Sequence, residues 1–197
     1  MTERHLVDFD KLVSLYPTYP THLHAPSFWE KLGRVIATFA FLEEVLGKAI
    51  FALTATREYD EKDLTEAYSR WLPTLQKALS DPLGGLVASF ERSVIEHGQS
   101  TIEDLDELVR DLKAAAQLRN VLCHGSWRPP TVDGKSLPYF VSRKNEVFET
   151  PLGASQLDQT QRNTVELICA VINTVTHMGF QFPGSTGPGR PVIPDLA

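Results

Sequence analysis

Cysteine is nearly absent: Cys123 and Cys169 are the only two in 197 residues. Two thiols make neither a disulfide framework nor a four-ligand zinc site, and they are expected to stay reduced in a cytoplasm. Long apolar runs are missing too. The longest uncharged apolar stretch is residues 35–42, far short of the roughly 20 residues that span a bilayer, so no membrane partner is expected. The opening MTERHLVDFD has no apolar run behind its charges and does not read as a secretory leader. Basic charge is in deficit, with 19 Lys+Arg against 25 Asp+Glu and a net charge of −6. That argues against a broad nucleic-acid-binding surface and leaves room only for a local basic site. There is no Walker loop, no G-x-G-x-x-G and no serine elbow, so nucleotide and serine hydrolysis have no motif behind them. Neither a cofactor nor a metal is expected: His22 and His24 have no carboxylate or cysteine at useful spacing and are placed on a free arm.

What is present is ordinary globular material, 42% hydrophobic and 22% charged, enough for one domain with its own core. Residues 1–26 read as an extended arm with a short apolar piece (Leu12, Val13, Leu15), held out by Pro17, Pro20 and Pro26. Residues 181–197, rich in Gly and Pro, read as a disordered tail. Between them, residues 27–180 carry four or five helices. Ser27 and Glu30 have capping-box spacing, and Phe28, Leu32, Val35, Ile36, Phe39, Leu42, Leu46, Ile50 and Leu53 then keep helical period. A second strip of small residues on that helix, Gly33, Ala37, Phe41, Val45 and Ala52, calls for a second packing partner, from the same chain or another subunit. A second helix starts near Asp60 or Asp63 and is kinked or split at Pro73, and a third runs from about Leu86 to Gly98. Ser100 and Glu103 open a long helix to His124 with Gly125 as its stop. Residues 127–150 then turn β-like, with Tyr139–Val141 and Glu146–Phe148 as strands about a Lys144-Asn145 turn. Ser155 and Asp158 cap a last helix to Gly179. The expected class is all-α: a helical bundle with a small β-hairpin inserted before its last helix.

Two charges fall where apolar residues belong. Glu43 lies four after Phe39 and three before Leu46; Arg119 lies four after Ala115, seven after Leu112 and three before Leu122. An unpaired buried charge costs several kcal/mol, so the two are expected to face each other, either as a structural ion pair or as part of a site. Asn120 and His124 follow, four apart on one helix face, where the amide can orient the imidazole. An Arg, an orienting Asn and a His suffice for RNA cleavage without metal. An imidazole, titrating ordinarily near about 6.5, takes the proton of a ribose 2′-hydroxyl or returns one to the leaving oxygen. A guanidinium clamps the phosphate in two-pronged fashion.

Arg119-Asn120-Val121-Leu122-Cys123-His124 resembles the R-x(4–6)-H motif of the HEPN superfamily, and the surrounding helical bundle is similar to its architecture over about Ser27 to Gly179. The resemblance implies a homodimer in which two motifs meet across the interface to form one metal-independent endoribonuclease site. It also implies a toxin or antiphage effector, with an antitoxin protein as candidate partner, or else a non-catalytic scaffold domain binding a protein or ligand. In this frame His124 is acid/base, Arg119 the phosphate clamp, Asn120 the orienter of His124 and Glu43 the positioner of Arg119. A second copy, Arg92-Ser93-Val94-Ile95-Glu96-His97, is set aside because it lacks the Asn, the apolar-stripe placement and the basic stretch that follows Arg119.

That stretch carries Arg119, Arg128, Lys135, Arg143 and Lys144 against one acid, Asp133, a local excess of four positive charges. Arg128, Lys135, Arg143 and Lys144 are candidate RNA contacts, with Trp127 available to stack a base. The other reading is that Trp127 closes the bundle end and the cations keep the hairpin hydrated.

Overall fold

A computed structural model describes residues 6–97 and 104–192. The capping box expected at Ser100 and Glu103 lies outside them. The described chain forms six helices, α1 (Phe9–Leu15), α2 (Pro26–Ala55), α3 (Leu64–Ser80), α4 (Leu83–Glu96), α5 (Leu105–His124) and α6 (Ala154–His177), with a two-stranded antiparallel ladder of β1 (Ser126–Trp127) and β2 (Pro138–Tyr139) before α6. The expected class is therefore correct: an all-α bundle with a small β insertion ahead of its last helix.

The bundle is organised around α2. Val35, Phe39, Leu42, Leu46, Ala49, Ile50 and Leu53 are sealed from solvent, and α6 and α4 pack along them, with α3 and α5 completing the surround. Burying each of these larger side chains contributes about 1.5–3 kcal/mol, so α2 is the element the others condense upon. Lys31 Nζ reaches Asp158 Oδ1 at 2.6 Å and fastens α2 to α6. The second strip of α2 divides. Its C-terminal part (Val45, Ala52) is covered by the same chain, and a Cβ added at Gly47 would lie 2.9 Å from the Ala78 carbonyl of α3. Its N-terminal part, Gly33, Ala37 and Phe41, stays exposed.

The helix ends differ from expectation in instructive ways. Pro26 takes the first position of α2 with Ala25 as N-cap and no side-chain cap, since a residue without an N–H fits where no acceptor exists. Ser27 is thus inside the helix, and Glu30 pairs with Arg34 at 2.8 Å instead of closing a box. At α6 the cap is Gly153, whose N–H is satisfied by Gln156 Oε1 at 3.1 Å; Asp158 is spent on Lys31. Helix α3 runs through Pro73 unbroken, because that residue sits on the exposed side, where the carbonyl it leaves free meets water.

The arm is not simply extended. Asp8 caps α1 by accepting from the Lys11 N–H at 3.0 Å, and the following turn packs on the bundle end. His24 is buried against Phe28 (ring centroids 4.7 Å) and Trp29 (5.1 Å), while His22 lies between Tyr16 and Tyr19. At the other end, residues 181–192 fold back. The Gln181 N–H donates to the Arg190 carbonyl at 2.7 Å, the Arg190 N–H donates to the Gly179 carbonyl at 3.0 Å, and Phe182 is buried. The hairpin expected at 139–148 is a single Val141–Val147 bridge about a turn in which Asn145 takes φ 62°; the ladder is instead Ser126 with Tyr139 and Trp127 with Pro138. Among the described residues no helix is long and apolar enough to cross a membrane.

Candidate functional site

Arg119 and Glu43 face each other as the displaced charges require. Arg119 Nη2 lies 3.2 Å from Glu43 Oε1, and both side chains retain a quarter of their exposure. Glu43 Oε1 is itself buried and the pair is not aligned for a hydrogen bond, so the attraction is ionic and the guanidinium keeps donors free. Helix α5 runs antiparallel to α2: the chain leaving α5 brings Trp127 edge-on to Phe28 at 5.0 Å, while Arg119 lies farther along α2 at Glu43. The exposed strip Gly33–Ala37–Phe41 therefore lies at the level of the last turns of α5, but on another side of α2 from Glu43, which stands about 160° round the helix from Phe41. Phe41 is 48% exposed.

Asn120 and His124 are both exposed. The expected Asn120–His124 hydrogen bond is not formed. Asn120 Oδ1 accepts from Arg119 Nη1 at 3.4 Å instead, because the side chain turns toward the charge beside it, and His124 makes no hydrogen bond or ion pair among the described residues. Glu43, Asn120 and Arg119 thus form one linked group at the surface, with His124 at the helix terminus beyond it.

Gly125 explains the abrupt turn. Its backbone is extended (φ −70°, ψ 137°), not left-handed, so conformational freedom is not its role. A Cβ there would lie 2.6 Å from the Val121 carbonyl oxygen and 2.8 Å from Pro138 Cβ. The residue after the imidazole is glycine because the helix end and β2 leave no room for a side chain.

The basic stretch is only partly free. Trp127 is half-buried against Phe28 at the bundle end. Arg128 lies over the Tyr139 ring at 5.0 Å and Lys135 pairs with Asp133 at 3.2 Å. Arg143 and Lys144 are exposed on the Val141–Val147 turn. Cys123 is half-buried and Cys169 exposed, both free. Among the described residues no group of three His, Cys, Asp or Glu could hold a metal.

The set-aside motif behaves differently. Arg92 is exposed, but His97 is buried, with Nε2 3.0 Å from Thr56 Oγ1 and its ring edge-on to Phe180 at 5.4 Å. Burial lowers the His97 pKa, and Arg57 lowers it further against an opposing pull from Glu58. One feature had no signal in the spacing of residues: a groove of about 670 Å³ between α5 and α6. Phe39, Leu108, Ala115, Leu118 and Leu167 form its floor, and Asp104, Glu107, Asp111 and Glu166 edge it. Its residues come from three helices, and only the crossing of α5 and α6 over α2 assembles them.

No protein-family model, no curated protein and no solved structure matches the chain.

Proposed function

We propose that the protein is a metal-independent endoribonuclease of HEPN type, active as a homodimer in which two Arg119–His124 pairs line one crevice. The observation that carries this reading is the Arg119–Glu43 ion pair. It holds a guanidinium at the surface with unused donors, five residues before an exposed imidazole that its own chain leaves unengaged. The exposed strip Gly33–Ala37–Phe41, level with the last turns of α5 on another side of α2, is the surface offered to the second copy.

In the proposed reaction one His124 takes the proton of a ribose 2′-hydroxyl, whose oxygen attacks the adjacent phosphorus. The partner copy's imidazole gives a proton to the departing 5′-oxygen. The products are a 2′,3′-cyclic phosphate and a 5′-hydroxyl. Arg119, steadied by Glu43 on one side and Asn120 on the other, neutralises charge gathering on the phosphoryl oxygens. Arg128, Arg143 and Lys144 extend the contact along RNA, and an antitoxin protein would act by covering this face.

The test is cleavage of RNA in EDTA with end-group analysis. Wild-type protein is expected to leave cyclic phosphate ends, and His124→Ala to be folded, dimeric and inactive. Cleavage surviving in His124→Ala, or strictly requiring magnesium, overturns the proposal.

The α5/α6 groove favours a second reading, a scaffold that holds a partner helix. An apolar floor under four carboxylates suits a basic amphipathic helix. Under it Arg119→Ala leaves partner binding intact and there is no RNA cleavage to lose.

A further inference from the structure

The cavity formed where the end of α2 meets α3 and α4 is lined by cations. Three arginines line it, Arg57, Arg70 and Arg92, against one carboxylate, Glu96, within a volume of about 380 Å³. In a chain with a net charge of −6, that is a concentrated positive site. Arg57 is mostly buried and held to Glu96 at 2.8 Å, yet its Nε is buried with no hydrogen-bond partner. An orphaned donor costs about 1–3 kcal/mol unless something accepts from it. Arg70 has only a loose contact with Glu66 at 3.5 Å, and Arg92 makes no ion pair among the described residues. Three guanidiniums with spare donors around one small space match the oxygens of a phosphate dianion, which accepts from several directions at once.

The cavity also has an aromatic wall. Trp71 is half-buried in it, its indole N–H fixed by Thr54 Oγ1 at 2.9 Å, and Tyr59 stands exposed at the mouth. A ring held in place and partly bare offers a stacking face to a flat group. Arg92 therefore has a use that the second R-x(4)-H copy did not suggest: it serves this cavity, while His97 packs against Phe180. The cavity begins at Thr54, eleven residues along α2 from Glu43, roughly 16 Å of helix, so it is separate from the proposed nuclease crevice.

We propose that this cavity binds a small phosphate monoester carrying a flat ring, its phosphate among Arg57, Arg70 and Arg92 and its ring against Trp71. A free nucleoside monophosphate and an aryl phosphate share this chemistry. Titration calorimetry of the full chain with AMP, phenyl phosphate, glycerol phosphate and inorganic phosphate separates the sources. Saturable one-site binding of AMP or phenyl phosphate is expected, at least ten-fold tighter than inorganic phosphate, and whichever of the two binds tighter names the source. Arg92→Ala, an exposed position, should weaken it at least ten-fold with an unchanged circular dichroism spectrum. Glu96→Gln, which removes the competing negative charge, should tighten it. His124→Ala should leave it untouched whether or not that variant still cleaves RNA. The proposal is overturned if none of the four ligands binds, if Arg92→Ala binds as wild type does, or if inorganic phosphate and glycerol phosphate bind as tightly as the ring-bearing esters.

Discussion

At the scale of the residue, Arg119 and His124 ask for opposite kinds of experiment. Arg119 is quarter-exposed and its partner carboxylate oxygen is buried, so Arg119→Ala leaves Glu43 without its cation in a partly wet site. A loss of about 1 kcal/mol is expected, near the top of the range for exposed pairs, measured by urea denaturation. His124 is exposed and unengaged, and surface substitutions of that kind shift stability by less than about 0.5 kcal/mol. If the imidazole is the acid/base group, the same substitution removes at least about a hundred-fold of RNA-cleaving rate. Large kinetic loss with intact stability for His124→Ala, beside a measurable stability loss for Arg119→Ala, is the expected contrast. The pairing of Glu43 with Arg119 was legible in the sequence because each charge interrupted an apolar period, and burial physics leaves such interruptions few solutions. The Asn120 partner was not legible. Spacing along a helix shows which side chains can meet, but a neighbouring cation outbids an imidazole one turn away.

At the scale of the element, the histidines of the two bundle ends set a pH response. Burial lowers the pKa of His24 against an opposing pull from the Arg128 backbone, and burial together with Arg57 lowers that of His97 against Glu58. Both folded sites thus favour the neutral ring. As pH drops below about 6.5 the unfolded chain takes up these protons and the folded chain resists, so stability falls on acidification. Melting temperature should decline from pH 7 to pH 5, and His24→Phe should flatten part of that slope; an unchanged slope in His24→Phe would remove His24 from the account. The His24 effect could not be read from the chain, since His24 sits in an arm whose prolines suggest extension, and only its stacking on Phe28 and Trp29 buries it. Helix caps failed for a related reason: Ser27–Glu30 and Ser155–Asp158 have the right spacing, but Pro26 and Gly153 occupy the boundary first. At the end of α5, Gly125→Ala must press its methyl on the Val121 carbonyl and on Pro138. Overpacking of that kind costs about 1–3 kcal/mol, and a loss of that size in thermal unfolding is expected.

At the scale of the whole molecule, the helix order and the inserted β segment were readable because hydrophobic period changes at residue 127 and changes back before α6. The cavities were not. The arginines at 57, 70 and 92 and the acids along α5 and α6 are far apart in sequence and converge only when four helices take α2 as a common axis. The exposed Gly33–Ala37–Phe41 strip yields the assembly prediction. If the protein is the proposed dimeric ribonuclease, Phe41→Arg should turn it monomeric in light scattering, leave helical content unchanged, and extinguish RNA cleavage with the dimer. A dimeric Phe41→Arg protein would move the interface elsewhere.

The squeezed glycine after His124 has a wider consequence. The backbone that carries the imidazole is clamped, within one residue, against the strand pair, so His124 takes its aim from the appendage that follows. Lengthening or trimming residues 129–137, none of which is proposed as an acid, base or phosphate clamp, should re-point the ring. Under the proposed ribonuclease reading, chains that differ only in that excursion would cut different RNAs with the same Arg and His.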